Sequence, residues 1–291
     1  MTSTINTNIS SLVAQRNLSS TQGSLAMSMA RLSSGLRVNS AKDDAAGLAI
    51  AERMSSQVRG MNVAVRNAND GISLAQTAEG ALGKSSEIFQ RMRELAVQSA
   101  NASNSITDRA SLDNEFGELA KEVQRVFANT TFNSRAILAA AAGVQDFQVG
   151  ANTAADNQIT ITTTDMTGAA GITDVTGTTT AATGRSVITG DGTPASITLI
   201  KGVITKLDAA IDLVSSQRSV LGASQSRFEV AISFLQISSE NQAASRSRIM
   251  DADFAQETAN LSRSQILSQA GSAMLAQANQ MPQSVLSLLR T

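Results

Sequence analysis

Apolar residues recur at every seventh position through part of the first half of the chain, and this repeat strongly constrains the fold. The column consists of Met54, Met61, Ala68, Ala75, Leu82, Phe89 and Ala96. A strict seven-residue apolar repeat is typical of a helix that packs along one seam against another helix. At 1.5 Å per residue, a helix over residues 46–100 would be on the order of 80 Å long.

Two later segments repeat the pattern and supply partners for this helix. After a turn at residues 101–108, a shorter helical pattern holds Leu112, Phe116, Leu119, Val123 and Val126. Further on, a second long column holds Ile200, Leu207, Val214, Leu221, Phe228 and Leu235. Because the chain runs out as helix and returns as helix, the sequence predicts a mainly α fold, a long antiparallel helical coiled-coil bundle with paired N- and C-terminal helices.

The two ends of the chain share a near absence of charge. Residues 264–289 hold no charged side chain and residues 1–30 hold only Arg16, yet both are dense in Ser, Gln, Asn, Ala and Leu. Such segments are too polar to cross a bilayer and too poorly charged to be stable alone in water. They are predicted to be partner-seeking helices, with these apolar contact residues: Ile5, Ile9, Leu12, Leu25, Leu32, Leu267, Met274, Met281, Val285 and Leu288.

Composition argues against several classes of function. The 23 basic and 24 acidic groups give no field that would attract nucleic acid or an acidic membrane. Cys and His are absent, which removes thiolate nucleophiles, imidazole bases and the usual zinc ligands. We therefore expect no enzyme, no cofactor and no metal. The first 15 residues lack a positive cluster and an apolar run, which argues against a cleaved signal peptide.

The middle of the chain, residues 139–196, differs in composition from both flanks. Residues 151–195 contain 14 threonines and no Glu, and Ile alternates with polar residues through 158–164 as it does in a half-buried strand. Asp191-Gly192 is a favourable turn dipeptide. We expect a small β-hairpin-rich insertion that lies on the surface as solvent-exposed decoration.

Two carboxylate pairs and one charged stretch are the candidates for chemistry. Asp43-Asp44 and Asp251-x-Asp253 each precede a helical pattern, where acidic groups cap the helix and complement its dipole, and capping is favoured over metal binding. Ser40 and Asp43 have the spacing of a capping box. The stretch 91–95, Arg-Met-Arg-Glu-Leu, is either a binding patch or a solvated helix face with Leu95 in the seam.

Several longer strings resemble bacterial flagellin closely. They are INTNISSL at 5–12, RLSSGLRVNSAKDDAAGLAI at 31–50, NANDGI at 67–72, RELAVQSAN at 93–101, and SRIMDADFAQE at 247–257 with its continuation to 290. The resemblance covers residues 1–138 and 197–290 in the right order. It does not extend to the middle, so it implies the inner core of a flagellin without large outer domains.

This resemblance implies a structural subunit that polymerises into the extracellular flagellar filament for swimming motility. It implies an inner domain of residues 1–45 and 250–291, with a linker at 33–45, and a body of residues 46–249 that contains the variable segment. The terminal helices would be disordered in the monomer and ordered on assembly, in the innermost tube of the filament.

The implied partners are further copies of the chain, the flagellar cap, the hook-filament junction proteins and the flagellar type III export apparatus. An export chaperone would bind residues 250–291. A host Toll-like receptor for flagellin would recognise a surface with Arg91, Leu95 and Glu115. Two alternatives to a flagellin remain at this stage, a hook-filament junction protein and a chemoreceptor-like helical signalling rod.

Overall fold

The computed structural model describes residues 7–178 and 180–288, with residues 281–288 described as helix backbone only. Five long helices dominate the described chain: α1 at Ile9–Ser34, α2 at Ala45–Ser99, α3 at Ile106–Asn129, α5 at Pro194–Met250 and α6 at Phe254–Leu288. Between α3 and α5 lie four short strands and the short helix α4 at Ala170–Thr176. Within the described residues, no helix combines the length and apolarity needed to cross a bilayer.

The predicted seven-residue columns form the core of the body, which confirms the helical bundle. Six of the seven α2 positions are at most 9% exposed, Met54 is half-buried, and all six α5 positions are buried. The two helices run antiparallel. Arg93 near the end of α2 bonds Asp208 near the start of α5 at 2.7 Å, and Asn62 lies beside Ser239.

Helix α3 begins with a complete capping box. Ser105 Oγ accepts from the backbone N–H of Asp108, whose carboxylate accepts from the backbone N–H of Ser105. One turn later, the guanidinium of Arg109 is 1% exposed and donates to the carbonyls of Ser99, Asn101 and Gly190. This buried cation therefore ties the turn after α2 to the end of the middle segment.

Two short hairpins precede α4. Strands β1 at Thr131–Phe132 and β2 at Arg135–Ala136 pair through a turn in which Asn133 and Ser134 both have positive φ. Strand β3 at Val144–Gln148 pairs antiparallel with β4 at Gln158–Thr162, with Phe147 opposite Ile159. The predicted strand at 158–164 is thus confirmed, but only one such hairpin lies in the described part of 139–196.

The middle segment is part of the core, and the expectation of solvent-exposed decoration was wrong. Its apolar side chains are buried against the body, namely Ile159, Ile161, Met166, Ile172, Val175 and Ile188. Polar contacts fasten the same segment: Gln217 of α5 donates to the Thr162 carbonyl, and Gln124 of α3 donates to Thr176 and to the Gly177 carbonyl.

The Asp191-Gly192 pair makes a turn, but the turn leads into α5 and joins no strands. The Asp191 carboxylate accepts hydrogen bonds from Thr193 and Ser196, which lower its pKa to about 2. Pro194 follows as the first residue of the helix, a position that needs no N–H donor.

The chain divides into two compact units. Residues up to Val58 and from Glu240 onward form the terminal unit, and Arg59–Ser239 form the body unit. Helices α2 and α5 each contribute residues to both units.

Candidate functional site

The terminal unit pairs α1 with α6 in antiparallel orientation. Near one end, Asn8 caps α1 by accepting from the Ser11 N–H, and its side-chain amide donates to the Ala278 carbonyl of α6 at 2.7 Å. Ser11 also donates to Asn279 at 2.8 Å. At the other end, the Ala252 N–H donates to the Gly35 carbonyl, so both ends of the pair are joined by hydrogen bonds.

At this second end, residues of the predicted linker make backbone contacts with the residues that precede α6. Gly35 ends α1 in the left-handed region at φ 72°, a conformation that glycine adopts without strain. Leu36 then forms an antiparallel bridge with Asp251, and Arg37 donates from its backbone to the Met250 carbonyl at 2.6 Å.

The fully buried positions of the seam between α1 and α6 hold small or polar side chains. The described side chains of the two helices that are buried are Ser11, Ser28, Glu257, Ser264 and Ala278. Larger apolar residues of the seam are only half-buried, namely Leu18, Leu25, Leu32, Leu261 and Leu275. Gly271 lets α6 approach α1, because a Cβ there would lie 3.3 Å from the Leu18 side chain. The seam therefore buries much less apolar surface than the core of the body unit.

Several large apolar side chains of the same two helices lie on the outside instead. Ile9 is 63% exposed and Met274 is 64% exposed, and Leu12 and Leu267 are each about half exposed. Of the predicted contact residues, Leu25 and Leu32 thus lie in the seam within the chain, and these four do not. Ile5 and the side chains of Met281, Val285 and Leu288 lie outside the part of the chain that the structure describes.

An apolar groove of about 530 Å³ runs between the exposed faces of the two helices. Ile9, Val13 and Leu18 line it from α1, and Leu267 and Met274 line it from α6. Among the described residues, no charged side chain lines this groove. A long, open and uncharged groove between two helices suits a third apolar helix face better than a small polar ligand.

Of the α6 seam, the sequence indicates Gly271 and Ala278 as small residues that allow close helix approach, whereas the polar seam residues Glu257 and Ser264 were not predicted. Glu257, Ser264, Gly271 and Ala278 lie seven apart, and this column of small or polar residues faces α1. The more hydrophobic column through Leu267 and Met274 faces outward. Hydrophobicity therefore identified both seam residues, Leu25 and Leu32, and outward-facing residues, without distinguishing the two surfaces.

One carboxylate of each predicted pair caps a helix, whereas Asp43 and Asp251 accept from Ser40 and Ser247 instead. Asp44 accepts from the Gly47 N–H at the start of α2, and Asp253 accepts from the Ala255 N–H at the start of α6. Asp43 differs in detail from the predicted capping box. Its carboxylate accepts from the side chain and backbone of Ser40 within a turn that ends before α2, and these bonds lower its pKa. Among the described residues, no group of three or more acidic side chains is arranged to hold a metal ion.

The second predicted surface, on the body unit, is only partly exposed. Arg91 bonds the Glu115 carboxylate of α3 at 2.9 Å and Glu94 at 3.0 Å, and the bonds to Glu115 and then Glu94 raise the pKa of the guanidinium. Leu95 is 1% exposed and lies in the core. Its side chain follows the α2 seam, so it is not part of the exposed surface, which is left to Arg91 and Glu115.

Two protein-family models match the helical parts of the chain on either side of the middle segment. The bacterial flagellin N-terminal helical region matches residues 5–142, and the bacterial flagellin C-terminal helical region matches residues 204–289. A flagellin of Halalkalibacterium halodurans is 44% identical over 98% of this chain and 99% of its own length. Flagellin A of Vibrio anguillarum is 37% identical over the full length of both chains.

A crystal structure of Bacillus cereus flagellin matches 58% of this chain and 88% of its own length at 28% identity, with a TM-score of 0.45. The family assignment rests on the sequence matches. They favour neither a hook-filament junction protein nor a chemoreceptor-like rod. The chain therefore belongs to the bacterial flagellin family, and it is a structural subunit of the extracellular flagellar filament rather than an enzyme.

Proposed function

We propose that the terminal unit is the part of the subunit that polymerises, with residues 1–45 and 250–291 as the inner domain of the filament. The single observation that carries this proposal is which side chains α1 and α6 bury against each other and which they leave exposed. The fully buried side chains of their seam are small or polar and its leucines are only half-buried, while Ile9, Leu12, Leu267 and Met274 are exposed. Apolar residues on the outside of a helix pair lower the free energy only when another surface covers them.

The same packing supports disorder of the terminal helices in the free subunit. Ordering each residue costs about 1–2 kcal/mol of backbone entropy, and isolated helices are marginal in water. The seam offers little buried apolar surface to offset that cost, because none of its described leucines is fully buried. Contacts with neighbouring subunits supply the missing burial, so ordering of α1 and α6 is coupled to polymerisation.

Substitution of the exposed apolar residues tests the proposal. Burial of a Leu or Met side chain contributes about 1.5–3 kcal/mol, so the double variant Leu267→Gln/Met274→Gln should raise the critical concentration for assembly by roughly a hundredfold or more. Val144→Gln, at an exposed valine of the body unit, is the matched control. Sedimentation of seeded filaments measures the critical concentration. An unchanged value for the double variant would refute the proposal.

Export and tip growth follow from the same property. A chain with unfolded ends passes a narrow channel more readily, and we propose that the flagellar type III apparatus exports this chain without a cleaved signal peptide. The hook-filament junction proteins would contact the first copies and the cap would retain each new copy at the tip. A strain without the cap should release the protein into the medium as monomer, and normal filaments in that strain would contradict this role.

We further propose that an export chaperone binds residues 250–291 before assembly. The exposed column through Leu267 and Met274 offers an apolar handle that must be shielded from premature association. Deletion of residues 250–291 should abolish chaperone binding in a pull-down of purified proteins. Undiminished binding to the truncated chain would show that the handle lies elsewhere.

Recognition by a host Toll-like receptor is proposed for the surface around Arg91 and Glu115. Both side chains are about half exposed and form an ion pair between α2 and α3. Arg91→Ala should lower signalling in reporter cells, whereas Lys84→Ala, at another exposed cation of α2, should leave it unchanged. Equal signalling by parent and Arg91→Ala would remove these residues from the receptor surface.

A further inference from the structure

The apolar groove of the terminal unit continues into a charged groove along the same side of the helix pair. The two parts share Thr21 and Leu267 among their lining residues. Together they extend along α1 from Ile9 to Arg31, about 33 Å at 1.5 Å per residue. The groove thus has one long apolar part and one charged end.

Three charged side chains line that end: Arg31, Glu257 and Arg263. Glu257 is only 7% exposed as a whole residue, although its carboxylate oxygens are not among the described atoms that are buried without a hydrogen-bond partner. The Nε of Arg31, in contrast, is buried without an acceptor among the described residues. A buried donor such as the Arg31 Nε normally has an acceptor, so this end of the groove has hydrogen-bonding capacity that the described chain does not use.

A stretch of a second copy fits the groove in length and charge. The uncharged residues 264–289 would span about 39 Å as helix, against about 33 Å of groove. Between their apolar residues they carry the side-chain amides of Gln and Asn and the hydroxyls of Ser. Residues 1–30 fit less well, because Arg16 lies in their middle and the groove end already holds two cations against one carboxylate. The outward face of α6 presents Ile266, which is 66% exposed and does not line the groove of its own chain.

From these observations we infer that the Arg31–Glu257–Arg263 end fixes the axial register of the α6 helix of a second copy in the groove. The inference rests on the proposed polymerisation surface. A neighbouring helix displaces water from the groove, and only a register that places amides or hydroxyls at Glu257 and Arg31 satisfies these groups. A register that places an apolar side chain there is penalised, just as a single buried polar group penalises the wrong register of a coiled coil.

The contact joins two different surfaces, the groove of one copy and the outward α6 face of another. Such a head-to-tail contact generates an open helical polymer when the rotation between copies does not close a ring. The apolar part of the groove supplies affinity in any register, because apolar contacts are not directional. The charged end adds the selection of a single register.

A disulfide scan measures the register directly, since the chain has no cysteine. Subunits with Asn260→Cys in the groove are mixed with subunits that carry one cysteine on the outward α6 face, at position 262, 266, 269 or 273, and filaments are oxidised after assembly. We expect one position to crosslink roughly tenfold more than the others. With Glu257→Gln in both subunits, this preference should fall to roughly threefold or less. Glu240→Gln, at an exposed carboxylate, should preserve it.

Equal crosslinking at several positions in the parent filament would overturn the inference, and so would an unchanged preference with Glu257→Gln. If Glu257→Gln subunits do not assemble, the scan of the parent decides by itself. The Leu267→Gln/Met274→Gln variant separates the two claims. If that variant fails to assemble and the disulfide scan of the parent filament shows no preferred position, the polymerisation surface is supported and only the register role is refuted. Normal assembly of that variant refutes the surface itself.

Discussion

At Gly71, helix α2 has no side chain because a phenyl ring occupies the space. A Cβ at this position would lie 2.7 Å from the Cζ of Phe228 on α5. Phe228 is fully buried and packs edge-on against Phe147, with ring centroids 5.6 Å apart, so the ring has little room to move aside. The NANDGI string at 67–72 thus includes a packing requirement of the body core.

The variant Gly71→Ala should therefore destabilise the body. Its gain in helix propensity of about 1 kcal/mol is outweighed by overpacking of about 1–3 kcal/mol. Gly80→Ala in the same helix has no described atom within 4 Å of the new Cβ and should gain about 0.5–1 kcal/mol. Urea unfolding gives both free energies of unfolding, and equal stability of the two variants would show that the ring yields easily.

Asp113 connects α3 to the middle segment through a buried ion pair. Its carboxylate accepts from Arg185 at 2.6 and 2.9 Å and from the Ile188 N–H at 2.9 Å. Burial by itself raises the pKa of Asp113, but the hydrogen bonds from Arg185 and Ile188 and the charge of Arg185 bring it below the ordinary value.

This lowered pKa predicts an acid-sensitive contribution to stability. Because the folded pKa lies below the unfolded value of about 3.9, the contribution is present above that pH and is lost as pH falls through the folded pKa. Asp113→Asn should lower the free energy of unfolding at pH 7 by about 3 kcal/mol and flatten its decline below about pH 4. Asp208→Asn, in an exposed pair with Arg93, should cost less than about 1 kcal/mol. Identical pH profiles for Asp113→Asn and the parent would contradict this role.

For the helices, the sequence predicted the regular apolar columns. It did not predict as well which column is covered within the chain. Column positions such as Leu82 and Phe89 are fully buried as predicted, because a seven-residue repeat specifies which face of a long helix meets another helix. The terminal helices carry two competing columns, and periodicity does not state which one is covered within the chain. There the column through Ser264 and Gly271 packs inside, since small residues allow close approach.

The middle segment resisted prediction for a different reason. Its Thr-rich composition resembles an exposed insertion, and only the alternation at 158–164 signalled a buried strand face. Isolated apolar residues such as Ile172 and Ile188 have no period, yet both are fully buried. They pack into the hydrophobic core of the body, and long-range contacts such as Asp113–Arg185 hold the same segment, but no local pattern in the sequence encodes either feature.

Helix propensity in α1 gives a prediction at the scale of a single element. A Cβ added at Gly23 would meet no described atom within 4 Å, so Gly23→Ala adds up to about 1 kcal/mol of helix propensity without a clash in the chain. If α1 is marginal in the free subunit, this change should measurably raise the helix content by circular dichroism. Gly80→Ala in the folded body should leave the helix content unchanged. A Gly23→Ala subunit with the parent's helix content would contradict marginal stability of α1.

At the scale of the whole molecule, the two units divide the work of a filament subunit. The body unit closes its core with large apolar residues such as Phe89, Phe127 and Leu207. The α1–α6 pair fully buries serines, while its larger apolar residues are half-buried or exposed. The first arrangement is stable in one copy, whereas the second becomes stable among many copies. On the proposed function, this difference would let one chain be exported and also form a durable polymer.

Hydrogen exchange of backbone amides, compared between the free subunit and the filament, tests this claim most directly. We predict that amides of α1 and α6 exchange at nearly unfolded rates in the free subunit, while those of α2 and α5 within residues 59–239 are protected. In the filament, α1 and α6 should become protected as well. Strong protection of α1 and α6 in the free subunit, equal to that in the filament, would contradict the account.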